Sequence, residues 1–223
     1  MSSAARCPVR RAVSALLLSA GLALTGCSGS GTAVDEAGHN HSAGPAAVEG
    51  PADHYAGLDL AEPYRRPTFT LTDTSGADYD FRAATKGRPT LLFFGYTRCP
   101  DVCPTTMADV AVALRGLHAD VARKVQVVFV TTDPAYDTPA VLAEYLGRFD
   151  ADLPVRFVGL TGSQKVVDQA QLSTGVPLAE EDGRLHSSLL LLYGPDDQAH
   201  VAFDAGNTAR DIGADLKSVA GAA

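Results

Sequence analysis

The run TLLFFGY at residues 90–96 constrains this chain more than any other stretch. It carries no charge and does not alternate apolar with polar residues. A strand of this kind has to be covered on both faces, as the middle strand of a helix-layered sheet is. It passes at once into TRCPDVCPTTMADV, where Cys99 and Cys103 stand three residues apart and each is followed by a proline. From there Met107, Val110, Ala111 and Leu114 recur at helical spacing, which predicts a helix from Cys103 to about His118 with Pro104 at its first position. Pro100 stiffens the loop between the cysteines, and the Pro104 ring is expected to hold Cys103 in a non-helical conformation.

Strands and helices alternate through the rest. Strands are predicted over 68–73 and 78–83, joined by TSGA as a hairpin, then over 124–133 and 155–160, with two more inside 187–203 around Gly-Pro-Asp-Asp. Helices are predicted over 137–149, with Thr138 as N-cap and Pro139 first, and over 163–174 and 208–221. The order argues for an α/β fold with a central mixed sheet, flanking helices and an N-terminal β-hairpin. Strand, cysteine pair, helix is also the order in thioredoxin-like redox proteins, and it places the pair where helix N–H groups and the helix dipole favour thiolate.

The chain reads as three parts. Residues 1–27 have a basic start (Arg6, Arg10, Arg11), an apolar middle and a small-residue finish, LTGC, the layout of a secretory signal. The apolar run falls short of the ~20 residues that span a bilayer. LTGC resembles a bacterial lipobox, which implies that Cys27 becomes a lipidated first residue and the protein is anchored to the outer face of the cell membrane. The Arg10-Arg11 pair leaves Sec and twin-arginine export both open. Residues 28–60, rich in Gly, Ser, Ala and Pro, read as a flexible tether, in which His39, His41 and His54 are polar filler rather than ligands. Residues 61–223 are long enough for one domain with its own core. A net charge of −8 argues against nucleic acid as a partner, because phosphate binding needs a basic face.

Once Cys7 leaves with the signal and Cys27 carries lipid, Cys99 and Cys103 are the remaining thiols. A disulfide closing so short a loop constrains little of the unfolded chain, so chemistry is the better reading. Two thiolates alone leave a metal open to competitors, and zinc normally takes four ligands. Three histidines of the domain are candidates for a third. His118, at the far end of the predicted helix, lies ~20 Å from Cys103 at 1.5 Å per residue. His200 begins an outer strand. His186 stands at the loop-to-strand junction that faces the cysteines in thioredoxin-like folds and there normally carries a cis-proline, which RLHSS lacks. Two soft sulfurs and one imidazole suit copper, Cu(I) in a trigonal site or Cu(II) with a further ligand. Binding needs deprotonated cysteines, so the pair is a ligand set when reduced and a disulfide when oxidised.

Three blocks, FFGYTRCPDVCPTTMADV (93–110), TTDPAYDTPAVLAEYL (131–146) and LHSSLLLLYGPDD (185–197), resemble the Sco/SenC family of copper-handling, membrane-anchored proteins with a thioredoxin-like fold. The resemblance implies copper ligands at Cys99, Cys103 and His186. It also implies a metallochaperone that delivers copper to the dinuclear copper A subunit of cytochrome c oxidase, reduces that site's cysteines, or does both. A thiol reductase or another copper chaperone would then be a further partner. This chain reads GRLHSS where the family usually has an aspartate beside the histidine. Asp133, at the C-terminal end of a strand, reads either as a turn cap or as a residue that orients the loop or meets a partner. The competing functions are a copper-independent thiol–disulfide oxidoreductase, needing the cysteines but not His186; a thiol peroxidase using Thr97 and Arg98 beside Cys99; and a plain binding or adhesion lipoprotein.

Overall fold

The computed structural model of the protein describes residues 54–176, 178 and 189–221. Their strands form a single mixed sheet in the order β1-β8-β7-β4-β5-β6-β2-β3. At its centre β4 (Thr90–Gly95) is buried at every position, as its unbroken apolar run requires. It pairs parallel with β5 (Gln126–Thr131), which pairs parallel with β6 (Val158–Thr161). On its other side it pairs antiparallel with β7 (Leu190–Tyr193), which turns through Asp197, at φ 63°, into β8 (Gln198–Phe203).

Alternation along the central strands builds two cores. Leu91, Phe93, Val127 and Phe129 face one side, where they meet α2 (Val102–Arg115), α4 (Pro139–Asp150) and α6 (Ala209–Gly221). Leu92, Phe94, Val128 and Val130 face the other, against Phe81, Val167 and Ala170 from α1 (Phe81–Thr85) and α5 (Gln164–Ser173). The predicted helix over 137–149 is α4, with Pro139 at its start and Thr138 Oγ1 accepting from the Val141 N–H at 3.3 Å.

Three local expectations are corrected. The predicted hairpin exists as β2 (Thr70–Asp73) against β3 (Asp78–Asp80), but the chain leaves β3 at Asp80. The Asp80 carboxylate accepts from the Ala83 N–H at 3.0 Å and starts α1, which buries Phe81 in a stack 4.7 Å from Phe69. Cys103 is helical: α2 begins at Val102, so Pro104 lies in the third position, still within the turn whose N–H groups need no partner. The same helix ends at Arg115, and His118 instead caps the short α3 (Ala119–Ala122).

A strand also forms where none was expected. β1 (Leu58–Arg65) pairs antiparallel with β8, its register broken between Asp59 and Tyr64, and begins inside the stretch read as tether. As an edge strand it tolerates Pro63, which hides it from a pattern-based reading. The N–H groups of Ala56 and Gly57, just before it, donate to the two Asp215 oxygens of α6, both at 2.9 Å. The chain therefore comes into β1 at the end of the sheet where Phe203 and Gly95 close β8 and β4.

Arg66 follows directly, 2 % exposed and satisfied on every side. It donates to Asp197 Oδ1 (2.8 Å), Thr90 Oγ1 (3.0 Å), the Arg88 carbonyl (2.9 Å) and the Gly194 carbonyl (3.0 Å), with its guanidinium 5.0 Å from the Tyr193 ring centre. One buried cation thus ties the lead-in to β2, the start of β4 and the β7–β8 turn. No described helix is long and apolar enough to cross a membrane.

Candidate functional site

Parallel strands β4 and β5 end side by side, and the chain beyond each turns back into a helix. Such strand ends are where open α/β sheets place their chemistry. After β4 the loop 96–101 carries Cys99 and leads into α2, whose second residue is Cys103. After β5 the segment TDPAYD carries Asp133 and Asp137 and leads into α4.

The two loops are locked together. Asp137, fully buried, accepts from the Thr97 N–H (3.0 Å), the Thr97 hydroxyl (2.5 Å) and the Thr131 hydroxyl (2.6 Å). The Thr132 N–H donates to the Gly95 carbonyl at 2.7 Å. Outside this clamp, Arg98 pairs with Asp133 at 2.7 Å and lies 3.9 Å over the Tyr136 ring. The Asp133 carboxylate thus meets the cysteine loop through Arg98. Thr97 and Arg98, the residues beside Cys99, are thus bound to Asp137 and Asp133.

Both cysteines are free thiols, in different surroundings. Cys99 is partly exposed at the loop, while Cys103 is fully buried in the core under α2. The absence of a side chain at Gly95 makes room for it: a Cβ there would lie 2.7 Å from Cys103 Sγ. The Cys103 N–H points at Cys99 Sγ from 3.5 Å. Burial pushes the Cys99 thiol up, but hydrogen bonds from the Cys103 and Asp101 N–H groups, the Cys103 side chain and the Val102 N–H outweigh it, and the net displacement is downward. Burial drives Cys103 far upward; a hydrogen bond with the Tyr96 backbone opposes this, and the neighbouring Cys99 adds to it. The pair thus joins one thiol held below its ordinary value by N–H donors to one held well above it by burial.

Other predicted positions fall elsewhere. His118 caps α3 with an exposed side chain, and His200 on β8 pairs with Asp196 at 2.7 Å. His54 is exposed near Asp59. His186, Cys27, His39 and His41 lie outside the described residues. Among the described residues no three His, Cys, Asp or Glu side chains group to hold a metal. A cavity of about 100 Å³ flanks the first turn of α2, lined by Asp101, Val102, Thr106, Leu190 and Phe203, and neither sulfur reaches it. Cys99 is thus partly exposed on its loop, with Cys103 buried in the first turn of α2 beside it. The sequence reading missed Asp137, taken only as the lead-in to a helix. A Thr97 two residues before Cys99, with a second aspartate four residues after Asp133, was the available signal for the clamp.

A mixed sheet with helices on both faces and two cysteines at the turn from a parallel strand into a helix define a thioredoxin-like dithiol protein. The chain belongs to the SCO1/SenC family, whose model matches residues 60–221. It is 39% identical over 137 residues to a putative copper-binding protein of Stutzerimonas stutzeri, a match covering 58% of this chain and 64% of that one. The structure resembles Bradyrhizobium japonicum ScoI with copper bound, at 34% identity and a TM-score of 0.57, over 72% of this chain and 99% of that one. It also resembles BsSco, described with a disulfide switch and as a member of the Sco family of cytochrome c oxidase assembly proteins, at 26% identity and a TM-score of 0.55, over 74% of this chain and 98% of that one. The chain spans less than two thirds of the length of the curated relatives it matches first.

Proposed function

We propose that this protein is a metallochaperone that carries copper, as cargo, to the dinuclear copper A site of cytochrome c oxidase. The observation that carries this is the unequal dithiol: Cys99 lowered and reachable in the loop before α2, Cys103 raised and buried in that helix's first turn. Two soft sulfurs select Cu(I) over harder ions, and an imidazole as third donor completes a trigonal set. His186 is our choice for that donor, and with it the site would also accept Cu(II) with a further ligand. The copper-bound ScoI structure supports the reading.

The same dithiol suits a second task. Cys99 attacks a target disulfide, a mixed disulfide forms, and Cys103 displaces it; two electrons and two protons pass to the target, leaving Cys99–Cys103 oxidised. The disulfide switch named for BsSco favours keeping this beside delivery, as preparation of acceptor cysteines on the oxidase subunit. Lipidation at Cys27 would hold the domain at the outer membrane face, where encounters with a membrane-bound oxidase are frequent. Another copper chaperone or a thiol reductase would reload or re-reduce it.

The test is copper titration of the reduced domain, beside a His186→Ala variant. We expect about one copper ion per chain, and a loss of at least about tenfold in affinity without the imidazole, since even outer partners of a metal ligand cost that much. Equal binding and an unchanged Cu(II) spectrum in the variant would remove His186 from the site. Failure of the wild-type domain to bind copper would leave the oxidoreductase reading.

A further inference from the structure

The outer faces of α2 and α6 meet along a groove of about 370 Å³. Val112, Ala113 and Gly116 line it from the α2 side, Gly213 and Ala214 from α6. Its floor is apolar, and Val112 stands 53% exposed in it. Gly213 is not demanded by the fold. Its φ is not positive, and a Cβ built there would lie 3.8 Å from Ala113 Cα and Cβ, an ordinary contact. Alanine would therefore fit against α2, yet the chain keeps in mid-helix the residue that, proline aside, favours a helix least. Space that the interior does not require is left open to the outside.

Two cations stand on the rim. Arg210 and Lys217 are exposed and enter no ion pair among the described residues. Asp211, next to Arg210 in the chain, gives its carboxylate to the Thr208 N–H at 2.8 Å and the Thr208 hydroxyl at 2.9 Å. Arg210 and Lys217 are two helical turns apart, ~10.5 Å along α6. In a chain with a net charge of −8, two unpaired cations flanking an apolar groove select negative charge at that spacing. A two-fold contact with a second copy would set these cations against their own equivalents, which disfavours self-association here.

We propose that the α2–α6 groove docks an amphipathic helix of a partner protein, its apolar face on Ala113, Gly213 and Ala214 and its carboxylates, two turns apart, on Arg210 and Lys217. A helix is the fitting occupant because small residues on two neighbouring helices let a third pack closely between them. Val112 lies ~14 Å beyond Cys103 along α2, so the partner is held away from Cys99. The inference stands apart from the copper reading.

The probe is a fluorescein-labelled helical peptide of alanine and leucine, with glutamates seven positions apart flanking its apolar face, beside a counterpart with lysines there. Anisotropy titration with the reduced protein should show saturable binding of the acidic peptide, at least about tenfold tighter than the basic one, the worth of two surface ion pairs gained against two repulsions. Arg210→Glu/Lys217→Glu should reverse that preference. Ala214→Trp, which fills the groove from an exposed position, should abolish binding. Gly213→Ala should keep or raise the Tm, and copper titration should be the same in every variant. No binding, or equal binding of the two peptides, would overturn the proposal. So would a lower Tm in Gly213→Ala, which would assign the glycine to the packing of the helices themselves. A dimer in sedimentation that Ala214→Trp disperses would give the groove to a second copy instead. Binding to phosphatidylglycerol vesicles that is lost in Arg210→Glu/Lys217→Glu would give it to a lipid surface, and either result removes the partner helix.

Discussion

The backbone N–H of Cys103 points at the sulfur of Cys99 across 3.5 Å, so the buried cysteine prepares its neighbour through the main chain. A side-chain replacement at 103 leaves that N–H in place. Alkylation of Cys103→Ser should therefore still reach half its maximal rate below the ordinary thiol value of about 8.5. In Cys99→Ser the remaining Cys103 should stay nearly unlabelled to strongly alkaline pH, as its burial dictates. A pH series with iodoacetamide and mass spectrometry checks both. Equal profiles for the two cysteines would contradict the asymmetry.

Gly95 and Cys103 share one space. Gly95→Ala should destabilise the fold by about 1–3 kcal/mol through overpacking. Because Phe93 Cε1 would also lie 2.8 Å from the new methyl group, removing the sulfur should rescue only part of this. Urea unfolding of Gly95→Ala, Cys103→Ala and the double variant should give a favourable coupling of about 1 kcal/mol. Strict additivity would mean that the two positions do not meet.

Asp137 accepts three hydrogen bonds, two from Thr97 in the cysteine loop and one from Thr131 at the end of β5. Asp137→Ala leaves buried donors without partners and should cost about 3 kcal/mol. Asp137→Asn should cost less, keeping one acceptor oxygen. Amide exchange should quicken first at Thr97 and in the cysteine loop, and a uniform loss of protection would argue against a local clamp.

The Arg66–Asp197 pair has a pH signature. Burial pushes the Asp197 carboxyl up, but the Gly87 N–H and the Arg66 and Arg82 guanidinium groups prevail, and its folded value is depressed. Its contribution is therefore fully present above the unfolded value of about 3.9 and is lost as pH falls through the lower folded value. Arg66→Met should cost about 3 kcal/mol at neutral pH, since it takes from Asp197 its nearest cation and leaves the buried Thr90 hydroxyl and Gly194 carbonyl without their donor. The gap to wild type should narrow on acidification in thermal melts from pH 7 downward. A gap that stays constant across that range would remove the pair as its source.

What the sequence made legible was set by period and by punctuation. β4 and β5 are written as runs that permit only burial, and Thr138-Pro139 marks the start of α4 in two adjacent residues. The dithiol and the order strand–cysteines–helix followed from the same text. What escaped were features made by distant partners. Arg66 reads as a surface charge until Asp197 and the Gly194 carbonyl, far along the chain, enclose it. β1 is hidden because Pro63 and the broken register depart from alternation, and only its pairing with β8 reveals it. Asp137 gains its meaning from the Thr97 loop that the fold brings to it.

β1 runs from Leu58, opposite Ala202, down to Arg65, opposite Gln198, and β8 lies parallel to β4 through β7. The N-terminal lead-in and the dithiol thus share one pole of the sheet, three strand spacings or about 14 Å apart across it. The lead-in, tied down by the Asp215 hydrogen bonds, therefore enters the sheet on the side of Cys99, while the opposite pole carries Arg66 and the β7–β8 turn.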